Sequence, residues 1–132
     1  MEIVVDTTVV IAVITNEAQK PRLIDLTRAA ELVAPASVPW EVGNAFSAMF
    51  KQKRISKEQA LAAVAAYRRI SIRLVTVAAE DAVTVSADLG IYAYDAYMIC
   101  CARQTGAPLL TLDARLKASA ARLGVSVLEV SP

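Results

Sequence analysis

Short apolar runs recur along this chain with helix-length segments between them: EIVV at 2–5, Leu32 and Val33, IRLVTV at 72–77, LLT at 109–111 and VSVLE at 125–129. Runs this short, bounded by turn residues, fit buried strands. Strands separated by helical segments pair in parallel, because a parallel pair needs a long crossover and the crossover helix packs on the sheet face. The pattern therefore predicts an α/β chain: a three-layer α/β/α sandwich around a mostly parallel central sheet of about five strands. At 132 residues, without a repeat or a Gly/Ser-rich linker, residues 1–132 are expected to form a single domain.

The helices between the runs carry their own signals. Asp6, Thr7 and Thr8 close the first strand and are placed to cap a helix from Val9 to Ile14. Pro21 suits the start of a second helix, to about Ala30, and Pro39 the start of a third, from about Trp40 to Gln52. In the third, Val42, Ala45, Phe46 and Met49 form a core stripe. Ser56 and Gln59 make a capping box opening a helix to about Arg69. Glu80 and Asp81 suit the first turn of a helix ending near Gly90. The segment from Tyr94 to Gln104 is apolar nearly all round and should be buried, with Gly106 and Pro108 stopping it. Asp113 to Leu123 is the last helix, closed by Gly124.

Composition narrows the chemistry. The chain has no histidine, which removes serine and cysteine triads and imidazole-held zinc or haem. Any acid–base work falls to carboxylates or a metal. Cys100 and Cys101 are adjacent, a spacing unsuited to a disulfide, and read as two small buried hydrophobes in a reducing cytosol. Glu2 and Asp6 interrupt the apolar start, and no apolar run reaches the roughly 18 residues of a membrane span. A soluble, cytoplasmic protein without membrane contact is expected. Fourteen basic against 13 acidic residues give a net charge of +1, so no global field draws the chain to a polyanion. Gly43, Gly90, Gly106 and Gly124 spell neither a dinucleotide fingerprint nor a phosphate-binding loop.

Ligands of open parallel sheets bind beyond the carboxyl ends of the strands. Asp6 directly follows the first strand and Asp113 the fourth, two residues after Thr111. Glu41 lies one turn into the helix after the second strand, with Asn44 one turn further, and Asp95 opens the buried helix. Each has a plainer reading: Asp6, Asp95 and Asp113 as helix caps, Glu41 as a solvated side chain. As a set they are harder to dismiss. Like charges about 5 Å apart repel by about 3 kcal/mol at an effective dielectric near 20. A cation is the natural compensation, and oxygen-only donors select Mg²⁺ or Mn²⁺ over zinc. Such a site suits phosphodiester hydrolysis, which needs no histidine.

Four segments in order, VVDTTVV, PWEVGNAF, YDAYMICCA and GAPLLTLDARL, together make the whole chain resemble the PIN-domain ribonucleases, most closely the VapC-like toxins of toxin–antitoxin pairs. The resemblance maps the family's acids onto Asp6, Glu41, Asp95 and Asp113, with Thr7, Asn44 and Thr111 as supporting residues. It implies a PIN-like sandwich, Mg²⁺ or Mn²⁺ dependence, endonucleolytic cleavage of RNA, frequent homodimers and neutralisation by a cognate VapB-like antitoxin. Asp6, Glu41 and Asp95 would be the main metal ligands, Asp113 completing the site directly or through water. Cleavage by an activated water would leave a 5′-phosphate and a 3′-hydroxyl. For gripping RNA, Lys51, Lys53, Arg54 and Lys57 form one basic cluster and Arg68, Arg69 and Arg73 another. Arg115, beside Asp113, is the best-placed phosphate contact. Trp40 lines the site, an antitoxin groove or the core. The rival from another class is a catalytically silent PIN-fold module that binds RNA or protein, which metal-dependent cleavage would distinguish.

Overall fold

The computed structural model describes residues 1–130. Its elements alternate as the apolar runs require: β1 (Glu2–Val5), α1 (Thr7–Ile14), α2 (Lys20–Thr27), β2 (Glu31–Pro35), α3 (Val38–Lys51), α4 (Lys57–Arg68), β3 (Ile72–Val75), α5 (Ala79–Leu89), α6 (Ala93–Thr105), β4 (Leu109–Leu110) and α7 (Ala114–Arg122). The four strands form one parallel sheet in the order β3-β2-β1-β4. Val4 pairs with Val33 on one side and Leu109 on the other, which puts β1 at the centre.

Alternation along β1 sorts its side chains between two helical layers. Ile3 and Val5 join Val9, Ala12, Leu23 and Leu110 in a core shared with α1 and α2. Val4 joins Val33, Leu109 and the buried residues of α3, α5 and α6 in the larger core on the other face. This is the expected three-layer sandwich. α6 is buried at Ala96, Met98, Ile99, Cys100, Cys101 and Ala102, which accounts for its lack of a polar stripe. Both cysteines are free and buried, and burial pushes the Cys101 thiol up to about 11, so neither is a poised nucleophile.

The fifth expected strand is reduced to a single parallel bridge, Leu109 to Val127. The cause lies in β4, which is two residues long and offers its new neighbour only Leu109, bonded to Ser126 and Leu128. The second helix stops at Thr27, short of Ala30, as the chain turns so that the Glu31 amide can reach the Met1 carbonyl. The Ser56–Gln59 capping box forms with both reciprocal bonds, a feature worth about 1 kcal/mol. No helix among the described residues is long and apolar enough to cross a membrane.

Candidate functional site

Because every strand runs the same way, the strand C-termini and the helix N-termini that follow them share one edge of the sheet. Asp6 leaves β1 there, Asp113 follows β4 and Glu41 is in the first turn of α3. Asp95 is in the first turn of α6, which follows a helix rather than a strand, and joins them through its charge on Glu41 and that of Asp113 on it.

Asp6 is only 4% exposed and is held from both sides. It caps α1: Oδ1 accepts the Val9 amide at 3.3 Å and the Thr8 hydroxyl at 2.6 Å. Oδ2 accepts the Thr111 hydroxyl. Thr8 and Thr111 are themselves fixed, because the Leu112 amide donates to Thr8 Oγ1 and the Asp113 amide to Thr111 Oγ1, each at 3.0 Å. Glu41 is gripped in the same manner. Thr7 donates to Oε1 at 3.2 Å and Ser37 to Oε2 at 3.1 Å. Asp113 caps α7, accepting the Arg115 amide at 2.9 Å and the Leu116 amide at 3.3 Å. Capping and membership of the acidic cluster are therefore compatible for Asp6 and Asp113. Asp95 caps nothing: Tyr92 holds the cap position of α6, and the Asp95 carboxylate accepts no protein hydrogen bond among the described residues.

The electrostatics link all four. Burial pushes the Asp6 carboxyl up, and the charge of Asp113 adds to it, against the opposing hydrogen bonds from Thr111, Thr8 and Val9. Glu41 is raised by burial and by the charges of Asp6 and Asp95, and lowered by Ser37 and Thr7. Asp95 is raised by burial and by Asp113. None of the four forms an ion pair with Lys or Arg among the described residues. Nor do any three Asp, Glu or Cys side chains among those residues converge into a ready-made metal cage. The four acids share an edge and a field without closing on one point.

The other sequence candidates divide. Thr7 and Thr111 touch the acids directly. Asn44 is exposed and makes no side-chain hydrogen bond among the described residues. Arg115 is exposed in the first turn of α7, and Trp40 is 70% exposed, which removes the core reading for it. Arg73 lies at the opposite edge, paired with Glu2 and Glu31, so its basic cluster is not at the acids. Two residues escaped the sequence reading. Ser37 stands four residues before Glu41, a same-face helical spacing that could have flagged it. Thr8 lies two residues beyond Asp6 and read only as a cap, yet it joins β1, α1 and the loop after β4.

Comparison with known proteins places this geometry. The family model of the PIN domain matches residues 3–121. No match was found among curated protein sequences. Among solved structures, PAE2754 from Pyrobaculum aerophilum superposes with a TM-score of 0.71 at 20% identity, covering 90% of this chain and 79% of that one. VapBC2 from Rickettsia felis, bound to a DNA fragment from its promoter, gives 0.67 at 16% identity over 98% of both chains. Mycobacterium tuberculosis VapC20, a toxin that cleaves the sarcin–ricin loop, gives 0.64 at 18% identity, covering 89% of this chain and 94% of that one. At these identities the structural likeness speaks for the fold, and the sequence model speaks for the lineage: the chain belongs to the PIN domain family.

Proposed function

We propose that the chain is a divalent-metal-dependent endoribonuclease, the toxin of a toxin–antitoxin pair. One observation carries the reading: Asp6, Glu41, Asp95 and Asp113 lie at the ligand-binding edge of a PIN-family fold, three of them pushed up by burial and mutual charge, with no Lys or Arg among the described residues paired to any. A protein of the same fold, VapC20, is a toxin that cleaves the sarcin–ricin loop, which supports an RNA substrate. The VapBC complexes among the relatives motivate a VapB-like antitoxin as partner.

The donor set fits Mg²⁺ or Mn²⁺: all oxygen, with no sulfur or imidazole within it, and a charge excess that no ion pair among the described residues offsets. Asp6, Glu41 and Asp95 would hold the ion and Asp113 would complete the site. When bound, a divalent cation supplies Lewis acidity at the scissile phosphate and a more acidic water. The chain's own residues do the rest. The Thr8 and Thr111 hydroxyls fix both oxygens of Asp6, and Thr7 and Ser37 fix those of Glu41. Neutral donors orient a carboxylate without cancelling its charge. Arg115 supplies a phosphate contact beside Asp113, and a homodimer is the proposed assembly.

The binding-module alternative draws on the lack of convergence of the acids. One experiment separates the two: incubation of antitoxin-free protein with total RNA in Mg²⁺ or Mn²⁺, against EDTA and Asp95→Asn controls. Discrete products requiring both metal and Asp95 are expected. Metal binding without cleavage would favour the silent module.

A further inference from the structure

Three aromatic side chains stand in water at the same edge as the carboxylates. Trp40 is 70% exposed and precedes Glu41 in the first turn of α3. Tyr92 is 87% exposed at the cap of α6, and Tyr94, 47% exposed, precedes Asp95. The chain has only one tryptophan, four tyrosines and two phenylalanines. The core takes Phe46 completely, and Phe50 is 44% exposed at the far end of α3; the three rings named here stand at two helix starts that also carry acids. The charge of Asp95 acts on Glu41, so the two helix starts are neighbours, and exposed aromatic rings on both offer a place for something to bind.

Charge decides what binds. The net charge of +1 yields little affinity for a polyanion by counterion release, and the acid cluster repels phosphates locally. Arg115, free of ion pairs among the described residues, is a single contact. Stacking of bases on aromatic rings does not depend on net charge and tolerates any base, and RNA is held in this way where its bases are unpaired. We propose that Trp40, Tyr92 and Tyr94 form a base-stacking surface that holds unpaired nucleobases beside the scissile phosphate. The proposal rests on the nuclease reading and adds to it how the substrate is gripped. Trp40 shares a helical turn with Glu41, and Tyr94 with Asp95, so a base stacked on either ring lies within one helical turn of an acid.

Because Trp40 is the only tryptophan, its emission reports on the surface directly. The probes are a 12-nucleotide single-stranded RNA, the same strand annealed to its complement, and an abasic strand with equal phosphates, all in EDTA. Repulsion by the acids is then common to every arm. The single strand should quench Trp40 and bind about 5-fold or more tightly than the other two, the lower end of what one stacking contact contributes. Tyr92→Leu and Tyr94→Leu should each weaken single-strand binding by at least about 5-fold without changing abasic binding, while Tyr94→Phe stays within about twofold of the parent. Equal binding of abasic and natural strands, or leucine variants that bind like the parent, would overturn the proposal. So would RNA-free Trp40 emission that shifts with protein concentration, together with a Trp40→Ala change from dimer to monomer in sedimentation, since a second copy would then occupy the surface. Metal-dependent cleavage measured in parallel keeps the two readings apart. Cleavage without base-dependent binding sinks the stacking surface alone, and base-dependent binding without cleavage sinks the nuclease alone.

Discussion

The two ends of the parallel sheet treat negative charge in opposite ways. At the strand N-termini, Glu2 and Glu31 are register partners on adjacent strands, and Arg73 reaches from β3 to both, at 2.8 and 3.4 Å. At the C-terminal edge, Asp6 and Glu41 are more deeply placed, yet among the described residues their partners are hydroxyls and an amide. Where the fold gains nothing from charge, it brings a cation alongside. At the other end it spends four hydroxyls on orienting two carboxylates and leaves their charge intact. A buried, uncompensated charge costs stability, so its retention at one end alone argues that the charge serves something outside the chain.

The sharpest way to break this contrast is to remove a charge from the acidic end. Asp6→Asn and Asp95→Asn should each lower metal-dependent RNA cleavage by on the order of 10²-fold or more, the usual loss when a group stabilising transition-state charge is removed. Asparagine retains an acceptor for the Val9 amide, so circular dichroism should be unchanged. Full activity in both variants would end the nuclease assignment. Next in size comes the hydroxyl scaffold. Thr111→Val strips the donor from Asp6 Oδ2 and the acceptor from the Asp113 amide. We expect Mg²⁺ affinity, measured calorimetrically, to fall about 10- to 100-fold, and stability to fall by about 1–3 kcal/mol for the groups left unpaired. An unchanged affinity would mean that the threonine serves the fold alone.

The acidic end should also reverse the ordinary pH response of a carboxylate. Asp6, Glu41 and Asp95 are all raised in the folded chain, whereas in the unfolded chain they titrate near pH 4. An acid with a raised folded pKa stabilises the fold while protonated: the contribution is complete below about pH 4 and is lost as pH rises through the raised values. In EDTA the melting temperature should therefore be higher at pH 5 than at pH 7.5, by about 3 °C for each kcal/mol recovered in a chain of this size. Mg²⁺ should restore stability at pH 7.5, where protons compete less for the carboxylates than at pH 5. A midpoint that drops on acidification to pH 5 would contradict the electrostatics of the cluster.

How much of this was legible beforehand follows from the range of the forces involved. β1, the capping box and the buried α6 are set by local pattern, and they stand where the sequence put them. The edge that carries Asp6, Glu41 and Asp113 was legible because parallel connectivity sends every strand's end to one side; Asp95, on a helix that follows another helix, is tied to it by the charges of Glu41 and Asp113. Three things were not. The fifth strand depends on whether β4 is long enough to pair, which β4's own sequence does not reveal. Ser37 was passed over because the third helix was expected to begin near Trp40, which leaves Ser37 in the connection before it, whereas here it stands at the cap position and its hydroxyl turns to Glu41. Arg73 sat beside Arg68 and Arg69 in sequence and read as part of a basic patch; only the pairing of β3 with β2 reveals that it belongs to Glu2 and Glu31.

Arg73 gives the smallest effect and the cleanest control. The guanidinium and both carboxylates are well exposed, and exposed pairs contribute about 0–1 kcal/mol. Arg73→Ala should therefore lower the melting temperature by no more than about 4 °C and leave RNA cleavage at the parent rate. The variant leaves Glu2 and Glu31 side by side without a cation, and salt screens both the lost attraction and the exposed repulsion. The gap in melting temperature between parent and variant should then shrink as ionic strength rises from about 0.01 to 1 M, where the screening length falls from about 30 to 3 Å. A gap that persists at high salt would mean that the arginine acts through the packing of its stem, and the neutralised end of the sheet would no longer be an electrostatic counterpart to the acidic one.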